Sequence, residues 1–134
     1  MFDRYMLVEN SLRPWTDQGE VRGIQVDVHY PHHCGIWLSI IEEINLQVDG
    51  SDIPAQDLTL VLDGKSYSVP LLTQELNDRW YFGQTGTLQA AIPGGLPDGE
   101  HCLSIRMGLR VSFLNWLLTG ADTKTMKIAK EDQA

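Results

Sequence analysis

Hydrophobic and polar residues alternate one by one along several short stretches of this chain. The longest stretch covers residues 101–111, in which five apolar side chains share one face: Leu103, Ile105, Met107, Leu109 and Val111. Four shorter stretches, residues 23–30, 44–49, 58–62 and 88–92, repeat the pattern. A period of two residues puts one face of a β-strand against a core and the other face in water. The pattern therefore predicts half-buried strands and gives no sign of a strong amphipathic helix.

Turn-forming residues separate these stretches. The clearest signals are Asp17-Gln18-Gly19, Asp49-Gly50, Asp63-Gly64, Gly83 and Pro97-Asp98-Gly99. Such sequences favour the tight turns that join antiparallel strands. The combination predicts an all-β fold: an antiparallel two-sheet β-sandwich, jelly-roll-like, with seven to nine strands and little helix. Residues 71–77 are expected to form one short helical turn.

The length of 134 residues fits one domain. We expect the sandwich to occupy residues 1–120. Residues 121–134 are polar and charged, and we expect them to form a C-terminal tail that is helical or frayed. The net charge of −8 disfavours nucleic-acid phosphates and anionic membrane surfaces as partners, because both attract basic proteins.

The start of the chain lacks the basic and apolar segments of an export signal, and no apolar run approaches the ~18 residues that span a bilayer. We therefore expect a cytoplasmic protein. In that reducing compartment Cys34 and Cys102 are expected to be free thiols.

Potential metal ligands cluster in His29-Tyr30-Pro31-His32-His33-Cys34, and His101-Cys102 offers two more. Neighbouring residues in a strand point to opposite faces, so His101 and Cys102 should not bind the same ion. The chain also has no Cys-x-x-Cys pair. We predict no metal site in this chain.

The sequence also offers no self-sufficient catalytic group. No Gly-x-Ser-x-Gly motif is present, and the side chains of Glu42 and Glu43 should diverge if both lie in a strand. Two pairs with a shared face remain, Asp27 with His29 and Arg106 with Arg110. They would form a polar pocket if their strands were neighbours, and otherwise two solvated sheet faces.

Aromatic residues are concentrated in two places. Arg79-Trp80-Tyr81-Phe82-Gly83 combines three rings with a cation, and residues 113–118 are apolar without alternation. Tryptophan and arginine are common anchors of interfaces and of sugar-stacking sites. These side chains either pack in the core or form an exposed surface for a partner.

Several blocks, taken in order, resemble the small β subunit of bacterial C-glycoside deglycosidases. They are Met1-Phe2-Asp3-Arg4-Tyr5; residues 35–39 leading to Ile41-Glu42-Glu43-Ile44 and Val48-Asp49-Gly50; Arg79-Trp80-Tyr81-Phe82-Gly83; Pro93-Gly94-Gly95-Leu96 with Gly99 and His101; and Leu109-Arg110-Val111-Ser112. The resemblance runs from the N-terminus to about Ser112.

This resemblance implies a β-sandwich subunit that pairs with a larger α subunit, a sugar-isomerase-like TIM barrel carrying a divalent metal, usually manganese. Such a complex cleaves the C–C glycosidic bond of 3-keto C-glycosides by β-elimination, with the metal and the bases on the α subunit. This chain would close the site and would be inactive alone. The residues expected at the substrate pocket or partner interface are Arg79, Trp80, Phe82, His32, His33, Phe113 and Trp116. Of these, Trp80 and Trp116 are hypothesised as interface anchors, with core packing as the alternative.

Two other functions fit the same sequence. A stand-alone carbohydrate-binding module would also combine a β-sandwich with exposed tryptophans and an acidic surface. An accessory subunit of another sugar-isomerase-like enzyme is the third possibility.

Overall fold

The computed structural model describes residues 6–30, 35–81, 83–110 and 118–128. In these ranges the chain forms an antiparallel all-β structure, which confirms the predicted fold class. The strands are β1 (Arg13–Asp17), β2 (Glu20–Val28), β3 (Ile36–Trp37), β4 (Ile41–Val48), β5 (Ser51–Ile53), β6 (Leu58–Leu62), β7 (Lys65–Ser68), β8 (Arg79–Trp80), β9 (Gly86–Ala91), β10 (Glu100–Leu109) and β11 (Leu118–Lys127). Short 3-10 helices occupy Leu38–Ile40, Ala55–Asp57 and Val69–Gln74. The described residues thus contain more strands than the predicted seven to nine, because two-residue strands such as β3 and β8 are too short to alternate.

The core lies between two large sheets. One has the strand order β1-β2-β9-β6-β7 and the other β11-β10-β4-β5, while β3 and β8 form a small third ladder. The alternating apolar positions predicted from the sequence point inward from both large sheets. Val26 and Leu60 of the first and Leu46 and Ile105 of the second belong to one buried hydrophobic cluster. Burial of this shared cluster is what holds the sheets together.

Three hairpins confirm the predicted turns. Gln18-Gly19, Asp49-Gly50 and Asp63-Gly64 all have positive φ at both positions, between 49° and 84°. Positive φ at both central residues defines the type I′ turn, whose twist matches that of the strands it joins. The turns connect β1 to β2, β4 to β5 and β6 to β7.

The expected C-terminal tail is wrong for Ala121–Lys127, because this segment belongs to β11 and pairs with β10 along its length. The inward face of β11 carries the polar residues Asp122 and Lys124 before the buried Met126. Charged residues at two inward positions conceal the alternation, so the segment looks like a solvated tail. Residues 129–134 lie outside the described residues. The predicted helical turn is present as the 3-10 helix Val69–Gln74, shifted toward the N-terminus.

Asp122 links the two large sheets at one edge. Its Oδ2 accepts a hydrogen bond from the backbone N–H of Leu7 at 2.9 Å and one from Lys124 Nζ at 2.6 Å. Leu7 in turn bridges to Val28 in the first sheet. The side chain of Asp122 is only 7% exposed, and a buried carboxylate needs such partners to offset its lost hydration. The polar inward positions of β11 are therefore structural.

The expectation that Glu42 and Glu43 diverge is wrong. The register between β4 and β10 shifts between Gly108 and Leu109, so that Glu42 is an extra residue in β4. A bulge of this kind re-aims one side chain. Glu43 consequently pairs with Arg106, and Glu42 pairs with Arg110 at 2.6 Å, both on the second sheet.

A buried histidine joins two turns. His101 is 7% exposed, and its Nδ1 lies 2.6 Å from Asp49 Oδ2 while its Nε2 lies 2.7 Å from the carbonyl oxygen of Pro97. Both ring nitrogens face acceptor oxygens, an arrangement that favours the doubly protonated imidazolium. The pKa of His101 is raised mainly by the hydrogen bond with Asp49 and secondly by the hydrogen bond with the Pro97 carbonyl. The hydrogen bond with His101, followed by the backbone N–H of Cys102, lowers the pKa of Asp49.

Trp80 is a core residue, with 0% of its surface exposed. Its indole Nε1–H donates to the carbonyl oxygen of Gln84 at 2.7 Å, and its ring packs edge-to-face on Tyr30 at 5.3 Å between centroids. A Cβ at Gly86 would lie 3.0 Å from the Trp80 ring and 3.0 Å from Leu62, so the glycine leaves room for the indole. Of the two roles left open for Trp80, core packing is the one found.

The Asp49–His101 pair makes folding stability depend on pH. A raised pKa for His101 contributes stability that is complete below its unfolded value of about 6.5 and is lost as pH rises through the folded value. A lowered pKa for Asp49 contributes stability above about 3.9 that is lost as pH falls through the folded value. The free energy of unfolding should therefore decline with pH, over the range above about 6.5, more steeply in the wild type than in His101→Gln. Urea unfolding across that range measures it. His29→Gln, which removes a histidine without touching the pair, is the control and should retain the wild-type slope.

Truncating the buried indole should destabilise the fold. Trp80→Ala is expected to lower the free energy of unfolding by about 3–5 kcal/mol, as for other buried aromatic side chains. Trp37→Ala removes the same side chain from the surface and should cost less than about 1 kcal/mol. Chemical denaturation of both variants gives the comparison. Equal losses would contradict the placement of the two rings.

Candidate functional site

The small β3–β8 ladder divides its side chains between core and solvent. Its two register pairs are Ile36 with Trp80 and Trp37 with Arg79. Ile36 and Trp80 are buried, whereas Trp37 is 44% exposed and Arg79 is exposed. Alternation along each strand enforces this division, because consecutive side chains leave a strand on opposite faces.

Arg79 is held between two exposed aromatic rings. Its guanidinium carbon lies 4.8 Å from the centroid of the Trp37 ring and 5.7 Å from that of Tyr81. Its Nη2 also donates to the carbonyl oxygen of Gly35 at 3.4 Å. Cation–π contacts at exposed sites contribute about 0.5–1 kcal/mol each, enough to restrict a long side chain. The guanidinium is therefore positioned before anything binds.

Arg79 differs from the other arginines of the described chain in its charge partners. Four arginines are ion-paired with carboxylates there: Arg13 with Asp27, Arg22 with Glu20, Arg106 with Glu43 and Arg110 with Glu42. Among the described residues Arg79 forms no such pair. Most of its five N–H donors are thus available to an acceptor from outside this chain.

Gln84 fixes Tyr81 relative to the core. The backbone N–H of Gln84 donates to the Tyr81 carbonyl, and the Tyr81 N–H donates to Gln84 Oε1, both at 3.0 Å. Gly83 has a φ of 83°, a left-handed conformation that glycine adopts without steric cost. The carbonyl of Gln84 accepts the Trp80 indole, so the exposed Tyr81 is tied to the buried ring beneath it.

A polar cluster lies beside the ladder. Asp78 Oδ2 accepts hydrogen bonds from Tyr67 OH at 2.6 Å and Lys65 Nζ at 2.8 Å. Burial is the main cause that raises the pKa of Tyr67 to about 12, and the hydrogen bond to the Asp78 carboxylate is the second. The pKa of Asp78 is lowered mainly by the hydrogen bond from Lys65 and secondly by that from Tyr67. The hydrogen bond with Asp78 in turn raises the pKa of Lys65. A phenol with this pKa stays protonated near neutral pH, so the cluster orients the segment before β8 and is poorly suited to general acid–base work.

Exposed apolar side chains are concentrated in the parts of the chain that form and flank the ladder. The described residues expose five large hydrophobic side chains, and four of them belong to β3 or to the segments on either side of β8: Trp37, Leu71, Leu76 and Tyr81, the fifth being Val21. The 3-10 helices Leu38–Ile40 and Val69–Gln74 pack on each other and bring the two segments together. We call Trp37, Leu71, Leu76, Arg79 and Tyr81 the ladder surface.

Of the seven site residues predicted from the sequence, the structure describes two, and these two lie in different environments. Arg79 lies at the centre of the ladder surface, while Trp80 lies beneath it in the core. His32, His33, Phe82, Phe113 and Trp116 lie outside the described residues. Trp37 and Tyr81 were missed as site residues. Their signals were present in the Gly35–Ser39 and Arg79–Gly83 blocks, but two-residue strands give no period that assigns a face.

The remaining polar candidates are not brought together. Asp27 lies on the first sheet, where its Oδ1 contacts Arg13 at 3.1 Å and Thr87 at 2.8 Å. Arg106 and Arg110 lie on the second sheet. Within the described part of the chain, no three His, Cys, Asp or Glu side chains form a group that could hold a metal ion. Cys102 is exposed and free, and Cys34 lies outside the described residues. None of the helices in that part of the chain is long and apolar enough to cross a membrane.

Comparison with known proteins identifies the family. A family model described as C-glycoside deglycosidase beta subunit matches residues 2–113. A protein of that name from Eubacterium cellulosolvens is 32% identical over 96 residues, which are 72% of this chain and 65% of that protein. Another of that name, from Arthrobacter globiformis, is 31% identical over 77 residues, 57% of this chain and 58% of the relative. The alignments therefore span less than two thirds of either relative. The family model covers most of the length of this chain, and the chain therefore belongs to the C-glycoside deglycosidase beta subunit family.

Proposed function

We propose that this chain is the β subunit of a heteromeric C-glycoside deglycosidase and that its ladder surface docks on a larger α subunit. Family membership supports a subunit role. The observation that carries the docking surface is Arg79, which is exposed, without a carboxylate partner in the described chain, and stacked between Trp37 and Tyr81.

The ladder surface has the composition of a protein interface. Tryptophan, tyrosine and arginine dominate the residues whose truncation weakens complexes most. Association also costs the conformational freedom of each side chain that becomes fixed. Arg79 is already stacked, and Tyr81 is already tied to Gln84, so this cost is reduced before docking. His32, His33, Phe82, Phe113 and Trp116 are further proposed contributors to the interface or the substrate pocket.

The proposed reaction takes place on the partner. The α subunit would be a sugar-isomerase-like TIM barrel that binds a divalent metal, manganese in this proposal, and supplies the bases. The ketone at C3 of the oxidised sugar acidifies the C–H bond at C2, and a base removes that proton. The bond between C1 and the aglycone carbon then breaks, its electron pair leaves with the aglycone, which takes up a proton, and a C1=C2 double bond forms. The reaction would make the complex a carbon–carbon lyase acting in the cytoplasm.

This chain would contribute a wall of the site rather than a reacting group. A docked ladder surface would exclude water from the mouth of the barrel, which strengthens electrostatic interactions within it. Arg79 would lie near that mouth, where its fixed donors suit an oxygen of the aglycone or a carboxylate of the α subunit.

The docking proposal predicts a separation between affinity and stability. Arg79→Ala and Trp37→Ala should each weaken binding to the α subunit at least tenfold, which is about 1.4 kcal/mol, while the melting temperature of the β chain stays nearly unchanged. The matched control is Arg22→Ala, which removes another exposed arginine far from the ladder in sequence. Calorimetric titration of the purified subunits measures affinity. Wild-type affinity in both ladder variants would exclude this surface as the interface.

Turnover should require both subunits. We expect the purified chain alone to release no aglycone from a C-glycoside or a 3-keto C-glycoside. Co-expression with a candidate α subunit, first a sugar-isomerase-like barrel encoded beside it, should give a copurifying complex that cleaves the 3-keto substrate. Chromatography of the released aglycone is the assay. Turnover by the chain alone would disprove the proposed division of labour, and the absence of any complex would favour a stand-alone binding module.

A further inference from the structure

The outer face of the second sheet contains a groove that the proposed function does not use. The groove has a volume of about 570 Å³ and runs across β11, β10 and β4 to the segment after β5. Its polar lining consists of Asn45, Gln47, Asp52, Ser104, Arg106 and Thr123. None of the ladder-surface residues lines it. Its volume falls in the range of small-molecule sites, about 300–1,000 Å³.

Strand register arranges the polar side chains of the groove in rows. Gln47, Ser104 and Thr123 lie side by side across three strands. The next row consists of Asn45, Arg106 and Ala121. Neighbouring strands are about 4.8 Å apart, and successive outward side chains along one strand about 6.6 Å apart. The groove thus presents amide, hydroxyl and guanidinium groups at regular, closely spaced positions.

Small residues and an ion pair create the concavity. Ala121 contributes only a methyl group to the β11 end of the second row. Gly108, the next outward position of β10 after Arg106, has no side chain. Arg106 Nη1 donates to Glu43 Oε1, which neighbours Gly108 across the strands. The guanidinium is therefore drawn toward Gly108, to one end of the groove, and the space above Asn45 and Ala121 stays open.

The cation of the groove is paired, while much of the groove's hydrogen-bonding capacity is open. Glu43 neutralises Arg106, whereas the Asp52 carboxylate keeps its charge and accepts a hydrogen bond from the neutral amide of Gln47, Nε2 to Oδ1, at 2.7 Å. Among the described residues, the Asn45 side chain has no hydrogen-bond partner. Gln47 Oε1 and the remaining N–H groups of Arg106 are available as well. Such a lining, with hydrogen-bond donors and acceptors and one unneutralised carboxylate, favours a neutral ligand with several hydroxyl groups over an anion.

An apolar wall completes the groove. Ile53, Pro54 and Ala55 line the side formed by the segment after β5, and the 3-10 helix Ala55–Asp57 fixes the direction of that segment. A pyranose ring presents hydroxyl groups at its edge and C–H groups on its faces. The polar rows suit the edge, and the apolar wall suits one face. From this match we infer that the groove binds the pyranose ring of a neutral saccharide.

Titration of the full chain with D-glucose and with methyl β-D-glucopyranoside, followed by ¹H–¹⁵N NMR, tests this inference. Saturable shifts should appear at the groove residues with a dissociation constant in the millimolar range, as an open site with few contacts allows. Sorbitol, a polyol of similar hydroxyl content without a ring, should produce no saturable shifts there. Because binding would occur in the isolated chain, the result does not depend on the subunit proposal.

Two groove variants and one control complete the test. Ala121→Tyr fills the groove from an exposed strand position and should weaken binding at least tenfold, and Asn45→Ala should weaken it several-fold. Thr59→Tyr introduces the same side chain on the opposite sheet and should bind as the wild type does. If Ala121→Tyr loses the native spectrum, Asn45→Ala decides. Absence of saturation with both sugars, equal shifts with sorbitol, or unchanged binding in the groove variants would overturn the inference.

Discussion

Burial of Trp80 is the interaction on which the candidate site depends. The indole lies under the ladder, hydrogen-bonded to Gln84 and packed on Tyr30. Because Trp80 points inward and consecutive side chains of a strand point to opposite faces, Arg79 must point outward. Gln84 extends the constraint to Tyr81, because it contacts the indole through its carbonyl and Tyr81 through its backbone N–H and side chain. The exposed site is therefore anchored by hydrogen bonds to the core ring beneath it.

Polar groups near the core are satisfied in two different ways. At one edge, Asp122 accepts the Leu7 N–H and the Lys124 ammonium, so that a carboxylate replaces apolar packing between sheets. At the turn between β4 and β5, Asp49 adopts a φ of 51° while its side chain binds His101. The same residue thus satisfies the conformational demand of a type I′ turn and supplies the counter-charge of a buried imidazolium.

Much of this fold was predictable because long strands carry their own evidence. β10 alternates over its whole length, and Asp63-Gly64 specifies its hairpin from local geometry alone. The failures have physical causes. β11 was taken for a tail because Asp122 and Lys124 face inward, and the hydrogen bond from the Leu7 N–H to Asp122 is a tertiary contact that no local pattern contains. Glu42 and Glu43 were expected to diverge because neighbouring side chains alternate in a regular strand. The expectation failed because the bulge at Glu42 depends on the register with the partner strand, which the local sequence does not specify. Arg79 was predicted as a site residue from composition, but the faces of Trp37, Trp80 and Tyr81 follow only from the β3–β8 register.

The positions of the two surfaces determine which substitutions each proposed contact tolerates. The ladder surface is built on 3-10 turns and two-residue strands, which tolerate change because few ladder hydrogen bonds hold them. The groove lies on the regular face of three long strands, where each outward position changes one side chain and leaves the core untouched. The proposed partner contacts can thus diverge at the ladder by altering Trp37 or Tyr81 while Trp80 stays in place. The proposed ligand contacts can diverge at the groove by altering Asn45 or Thr123 without moving either sheet. On these proposals, a scaffold with two separate surfaces can keep its subunit role while its ligand preference shifts.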